Sequence, residues 1–321
     1  RDLHSFPTRR SSDLDYETAL ATLAPARELE AQNPALHDLA AQIKTRMGAF
    51  DEAIAAHEDA LRLAPDNFNV LCNYAETLLR AGDAAKAAEI AEKAIALSPH
   101  HQGAIALWAT CLRALGDPRE AELNDTENLV QVFELAPPDG FSDMESFNRE
   151  LDDYLSRLHR GTREFPAHSV RGGTQSIDYV LGAGHDLLER LRLRFDEALN
   201  TYMQSMQEDS EHKLFARRAP LFFYASSWST RLGEGGHHIN HIHSGGWISA
   251  TYYVSVPEGE GGELQFGEPP FEAGIKNPVR RTVKPKAGML VLYPSYLWHG
   301  TTPLRSDKPR TTIAFDVVPR A

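Results

Sequence analysis

Residues 82–99 read GDAAKAAEIAEKAIALSP, from Gly82 to Pro99, and the outline of this stretch recurs on either side of it. Gly48, Gly82 and Gly116 stand 34 residues apart, as do Ala41, Ala75 and Ala109, and Ala53, Ala87 and Ala121. Pro65 and Pro99 keep the same interval, each closing a Leu-x-Pro, and Leu135-Ala136-Pro137 closes a third unit four residues late. A period of this length predicts two helices per unit. The Gly supplies a positive φ at the turn between them. The Ala columns lie where helices cross too closely for a larger side chain. The Pro ends each second helix, so second helices are expected from Asp51 to Ala64 and from Asp83 to Ser98. Leu71, Tyr74, Leu78 and Leu79 recur at helical spacing on one face.

This pattern resembles the tetratricopeptide repeat, over residues 15–137 with the earliest unit partial. The resemblance implies an α-solenoid whose concave surface binds a protein or peptide partner. Cys72 and Cys111 both fall inside helical patterns without a Cys-x-x-Cys spacing. They read as small buried hydrophobes in a reducing, cytoplasmic setting rather than as a disulfide or zinc framework. The chain has 321 residues with 33 Lys+Arg against 45 Asp+Glu, a formal charge of −12. Such a balance, with no basic patch, excludes nucleic acid as a partner. No run approaches the ~18 apolar residues of a membrane span, so no membrane partner is expected. Residues 1–14, Arg1 to Leu14, show neither helical nor strand period and are read as a non-native leader.

At Ala136-Pro137-Pro138-Asp139-Gly140 the chain turns and changes character. Helical patterns run from Asp143 to Arg160 and from Asp186 to Met206, with a polar stretch, Ser169 to Ser176, between them that reads as a connector. Residues 138–220 therefore form a helical support, and residues 221–321 turn to β. Strand patterns cover Phe222 to Leu232, Trp247 to Val256, Glu263 to Phe266, Val279 to Val283, Met289 to Tyr293 and Thr311 to Val318. Many short strands separated by Gly- and Pro-containing turns predict a sandwich or barrel, and a double-sheet jelly roll fits the count. The fold class is thus α+β multidomain. Most of the aromatic residues Trp228, Trp247, Tyr252, Tyr253, Tyr293, Tyr296 and Trp298 read as core.

Four histidines crowd between two of these strands: His237, His238, His241 and His243. Side chains at i and i+2 of an extended segment project to one side, so His241 and His243 can reach one ion together. A third ligand must come from another strand, and His299, after the run Val291 to Ser295, is the candidate. Arg310 follows eleven residues later at the start of the last strand, with Thr312 beyond it.

This arrangement resembles the 2-oxoglutarate- and iron(II)-dependent dioxygenases, whose fold is a double-stranded β-helix. A tighter resemblance is to an oxygenase family often fused to tetratricopeptide repeats. It rests on His241-Ile242-His243, Ser249-Ala250-Thr251-Tyr252-Tyr253 and Tyr293-Pro294-Ser295-Tyr296-Leu297-Trp298-His299, with Gly172-Gly173-Thr174-Gln175-Ser176 upstream. It covers about residues 138–321 and argues against reading the upstream stretch as a mere connector. It implies a hydroxylase using Fe(II), 2-oxoglutarate and O2, with ascorbate as an aid. His241, His243 and His299 would hold the metal, and Arg310, Thr312 and Tyr252 the cosubstrate. Alternation along the strand points one of Tyr252 and Tyr253 toward the barrel mouth without saying which. Arg305 is the second choice for the carboxylate clamp, and His238 for the second metal ligand. His243 stands where the wider family carries a carboxylate. A third neutral ligand leaves the full 2+ charge to the cosubstrate and favours nitrogen-loving metals such as zinc or copper. The alternative is a repeat-based scaffold whose β-domain is inactive or a cupin-type metal site.

Overall fold

The computed structural model describes residues 15–160, 164, 168–176 and 179–320, and the leader expected at 1–14 lies outside them. The described residues divide into two compact units. One comprises residues 15–123 with Phe271–Lys276; the other comprises the described residues of 124–270 and 277–320.

The first unit is helical: α1 (Tyr16–Leu29), α2 (Pro34–Met47), α3 (Phe50–Leu63), α4 (Phe68–Arg80), α5 (Ala84–Leu97), α6 (Gln102–Leu115) and the short α7 (Glu120–Leu123). Local chemistry sets the ends. Asn33, Asn67 and Asp83 accept backbone N–H groups of the first turns of α2, α4 and α5, which satisfies donors that the helix cannot. Gly48 and Gly116 end α2 and α6 in the left-handed region, at φ 78° and 68°. Ala41, Ala53, Ala75, Ala87 and Ala109 are buried to 2 % exposure or less, as helix crossings require. Ala121 is exposed, and the third unit departs from its expected course there. Its second helix stops at Leu123 and does not run to Pro137. Phe271–Lys276, an excursion from the β-region, belongs to this helical unit. Ala273 is buried with Leu71, Tyr74, Leu107 and Cys111, and the Arg80 guanidinium lies 5.8 Å from the Phe271 ring centroid.

The second unit begins with α8 (Thr126–Leu129) and β1 (Gln131–Glu134), so the boundary after Leu123 lies fourteen residues before the expected one at Pro137. The reason is local. Val132 and Phe133 pair with Val291 and Leu290 as a sheet edge, and their run is too short to show a strand period. The unit continues with α9 (Met144–Leu158), β2 (Val170–Gln175), α10 (Asp186–Ser205), β3 (Leu221–His238), β4 (Ile248–Ser255), β5 (Leu264–Phe266), β6 (Arg281–Val283), β7 (Met289–Pro294), β8 (His299–Thr301) and β9 (Arg310–Arg320). A six-stranded sheet has the order β1-β7-β4-β9-β3-β2, and a three-stranded sheet the order β6-β5-β8. Every pairing is antiparallel. This is the helix-supported double-sheet jelly roll of an α+β chain.

Helices α9 and α10 cover one face of the larger sheet. Phe195 of α10 stacks on Tyr252 (5.3 Å, edge to face) and on Phe315 (4.9 Å). Arg231 bonds Asp152 of α9 and Thr311 of β9. Successive side chains of a strand alternate between faces, so Tyr253, Thr312, Ala314 and Asp316 point to the other side. A bulge in β3 between Tyr224 and Ser226 shifts its phase against β9. Tyr224 faces α10 through Asp196, while Ser226 turns to the opposite face. Phe195 is fully buried at this helix–sheet contact. Phe195→Ala is expected to destabilise the unit by about 3–5 kcal/mol, read as a lowered midpoint in urea-induced unfolding.

Candidate metal centre

The face of the large sheet away from the helices carries the chemistry. After β3 the chain leaves the large sheet and pairs with β8. The N–H of His241 donates to the carbonyl of His299 at 2.9 Å, and that of His299 to the carbonyl of His241 at 3.0 Å. The N–H of His243 donates to the Ser295 carbonyl at 3.0 Å. These bonds set the side chains opposite one another. Two glycines permit the closeness. A Cβ on Gly300 would meet the side chain of Asn240, and one on Gly246 would meet Ser295 Oγ.

The rings of His241, His243 and His299 lie with centroids 4.3, 4.9 and 5.2 Å apart. One nitrogen of each falls within 4.8 Å of the others. Hydrogen bonds assign the tautomers. Nδ1 of His241 lies 2.8 Å from the Ile239 carbonyl, Nδ1 of His299 lies 2.9 Å from the Leu297 carbonyl, and Nδ1 of His243 lies 2.6 Å from Asp316 Oδ1. All three partners only accept, so each Nδ1 carries a hydrogen and Nε2 is the nitrogen each ring turns toward the others. His241 Nε2 and His243 Nε2 stand 3.3 Å apart. Burial, with the neighbouring imidazole His243, pulls the His241 pKa down to about 3, and burial draws that of His299 well below its ordinary value. Both are therefore neutral at pH 7, the state in which imidazole binds metal. Three converging imidazoles suit a divalent first-row metal, iron among them.

Asp316 stands behind His243. Besides that imidazole it accepts hydrogen bonds from Ser249 Oγ (2.7 Å, to Oδ1) and Ser226 Oγ (2.9 Å, to Oδ2). Burial raises its pKa, but the His243 charge interaction and these three hydrogen bonds outweigh it and hold the carboxyl below the usual carboxylate range.

Arg310 lies at the other end of the same cleft, only 2 % exposed. One of its terminal nitrogens donates to the Gly262 carbonyl, and its guanidinium sits 5.7 Å from the Tyr253 ring centroid. Three buried polar atoms there have no partner among the described residues: Arg310 Nε, Tyr253 Oη and Thr230 Oγ1. Buried polar groups are seldom left unpaired, and a cluster of unpaired donors marks a place for an acceptor-rich ligand. Thr312 pairs with Tyr253 across the strands and lines the cleft with it.

The sequence-derived residues fall into place unevenly. His241, His243, His299, Arg310 and Thr312 share one cleft. Tyr252 does not. Its hydroxyl donates to Asn148 Oδ1 at 2.7 Å on the helix-covered face, and alternation gives the cleft to Tyr253 instead. Arg305 is exposed and pairs with Glu260. His238 lines the cleft, its Nδ1 3.0 Å from Ser169 Oγ, but it stands outside the converging triad. His237 is turned to the Gly235 carbonyl. The Gly172-Gly173 stretch is a strand, β2, laid along β3, not a loop. Sequence reasoning leaves Asp316 and Thr230 unnamed and offers Tyr253 only as one of two choices for the cleft. Asp316 is recoverable, since it shares the even-numbered face of β9 with Arg310 and Thr312.

A family model described as "Putative 2OG-Fe(II) oxygenase" matches residues 226–316, and one described as "Tetratricopeptide repeat" matches residues 44–90 and 78–123. No curated protein matches the chain. Among solved structures, the viral collagen prolyl hydroxylase of Paramecium Bursaria Chlorella virus-1, in complex with 2OG, is 13 % identical. The match covers 60 % of this chain and 97 % of that one, with a TM-score of 0.41. A Pseudomonas putida prolyl-4-hydroxylase is 16 % identical over 63 % of this chain and 98 % of that one, also at 0.41. MamA is 19 % identical over 33 % of this chain and 62 % of that one, at 0.31.

Removing one imidazole leaves two ligands for the metal. His299→Ala is expected to weaken Co(II) binding by roughly 100-fold or more, since losing even a partner of a ligand costs 10–100-fold. Titration followed by the visible absorption of Co(II) checks this.

Proposed function

We propose that the β-unit is a 2-oxoglutarate- and Fe(II)-dependent dioxygenase, a hydroxylase, and that the repeats bind a protein or peptide partner. The observation that carries this reading is the pairing, in one cleft, of three converging imidazole nitrogens with a buried guanidinium that lacks an acceptor at Nε. The family match over residues 226–316 supports it.

His241, His243 and His299 would hold the iron from one side and leave adjacent positions open to ligands. Arg310 would take the far carboxylate of 2-oxoglutarate, since a guanidinium makes parallel charge-assisted hydrogen bonds to a carboxylate. Tyr253 Oη and Thr230 Oγ1, both without a partner, would donate to the same carboxylate, with Thr312 beside them. When bound, iron and 2-oxoglutarate supply the oxidising power: 2-oxoglutarate yields succinate and carbon dioxide, and one oxygen atom of O2 enters the substrate. The protein binds, orients and keeps water away. Buried Tyr293, packed against His299 at 4.8 Å, and Trp228, 5.2 Å from the His243 ring, wall the cleft.

Residues 15–123 and 124–321 are read as a partner-binding unit and a catalytic unit, with 271–276 lent to the former. Among the described residues no helix is long and apolar enough to cross a membrane. Cys72 and Cys111 are free and buried, their thiols pushed up to about 12 by burial. Unreactive reduced thiols fit a cytoplasmic setting.

Incubation of the purified protein with Fe(II), ascorbate, O2 and 2-oxoglutarate is expected to release succinate. Arg310→Ala should raise the 2-oxoglutarate concentration needed by on the order of 100-fold, the loss of one or two hydrogen bonds to a charged group, while Co(II) affinity holds. Tyr253→Phe should raise it by roughly tenfold, and Tyr252→Phe should leave it unchanged. An unaltered 2-oxoglutarate requirement in Arg310→Ala would refute the assignment.

A further inference from the structure

Resting on the oxygenase reading above, we infer that Asp316 is the positioning residue that supplies the missing negative charge of the metal centre, through His243 and not by direct ligation. Three imidazoles alone leave a divalent ion uncompensated by the protein. The carboxylate absent from the ligand set lies one hydrogen bond behind it, 2.6 Å from the far nitrogen of His243.

Two comparisons within the site carry the inference. His241 and His299 lean on backbone carbonyls two residues earlier in the chain, neutral dipoles that any histidine in that conformation could use. His243 alone leans on a side chain, and that side chain is an acid. A carboxylate hydrogen-bonded to the outer nitrogen of a ligating imidazole fixes its tautomer and raises its basicity toward metal. The second comparison concerns burial. Asp316 is 6 % exposed in the middle of β9. Taking a carboxylate out of water there costs several kcal/mol, and an apolar residue would fill the place at less cost. Among the described residues no Lys or Arg pairs with Asp316; its partners are two serine hydroxyls and His243. Ser226 on β3 and Ser249 on β4 hold the carboxylate from both neighbouring strands. The bare α-carbon of Gly246 leaves room on that side, where a Cβ would stand 3.3 Å from the Asp316 Cβ. His243 is the one group of the three that also faces the metal position.

Asp316→Asn keeps the shape and an acceptor for His243 while removing the charge, so it separates charge from packing. In the full-length protein we expect one Co(II) to bind the wild type, and Asp316→Asn to bind it roughly 10- to 100-fold more weakly, with an altered visible spectrum. The unfolding midpoint of the metal-free variant should match the wild type. Ser249→Ala, which removes a support but keeps the charge, should change Co(II) affinity by no more than about threefold, a small fraction of the 10–100-fold expected for the charge. Co(II) affinity and spectrum unchanged in Asp316→Asn would reduce Asp316 to a buried structural acid and overturn the inference, leaving the oxygenase reading intact. A wild type that binds no Co(II) would instead bring down that reading itself. Should the variant not fold, the Zn(II)-loaded wild type decides by proton NMR. The Nδ1 proton of His243 is expected far downfield of those of His241 and His299, and three similar positions would equally overturn the inference.

Discussion

The period-two alternation of β9 is the constraint on which the site depends. Arg310, Thr312, Ala314 and Asp316 share one face, and Thr311, Ile313, Phe315 and Val317 the other. The odd face is apolar except for Thr311, which bonds Arg231, and it is covered by α9 and α10. The even face holds a guanidinium at one end and a carboxylate at the other. Between them passes the cleft onto which the three imidazoles open. A slip of one residue in register would bury Arg310 against the helices and turn Ile313 and Phe315 into the cleft. The two neighbours of β9 in the sheet pin that register. β4 pairs with it from Ile248 to Ser255 and β3 from Leu221 to Leu232.

A polar face of this kind is tolerated only because nearly every group on it is answered. The three Nδ1–H groups meet acceptors, Asp316 meets three donors, and the Ser249 and Ser295 hydroxyls meet each other at 2.7 Å. The exceptions gather at Arg310, Tyr253 and Thr230. Leaving a buried donor unpaired costs about 1–3 kcal/mol, more if it is charged. A fold under selection for stability alone would have paired them or replaced them. Their clustering at one end of the cleft, opposite the converging imidazoles, gives the site its polarity: unpaired donors at one end and imidazole nitrogens at the other.

The helical half was legible because its signal is periodic. Glycine, alanine and proline columns 34 residues apart state the same thing several times, and one failed column cannot hide the rest. The failure at Ala121 is instructive. The sequence keeps the alanine but the helix ends at Leu123, and residues 131–134 form the edge strand of the sheet, paired with β7. The β-half was legible in its longer strands and illegible where two or three residues decide. β8 has three residues and lies on the ladder that sets His299 against His241. β2 carries Gly172 at φ 63° beside Gly173, turn chemistry in a strand that bulges there. For the histidines, residue type and spacing sufficed. For the tyrosine pair they did not, because a strand pattern says that neighbours point apart without saying which side is the cleft. The contact of Phe195 with Tyr252 answers that, and no local signal encodes it.

His243 at the place of a carboxylate looks at first like a weakened metal site. The strand geometry suggests a relocation instead. A ligand carboxylate two residues after His241 would have brought a negative charge into direct contact with the metal. Here the charge sits on β9, reached through an imidazole, and two serines on adjacent strands hold it in place. The ligand atom itself stays a nitrogen, with the preferences of nitrogen for metals late in the first row. On the inference drawn above, the acid would tune the centre without taking one of its coordination positions. On the oxygenase reading proposed above, those positions would stay open for the cosubstrate, whose far carboxylate Arg310 would receive.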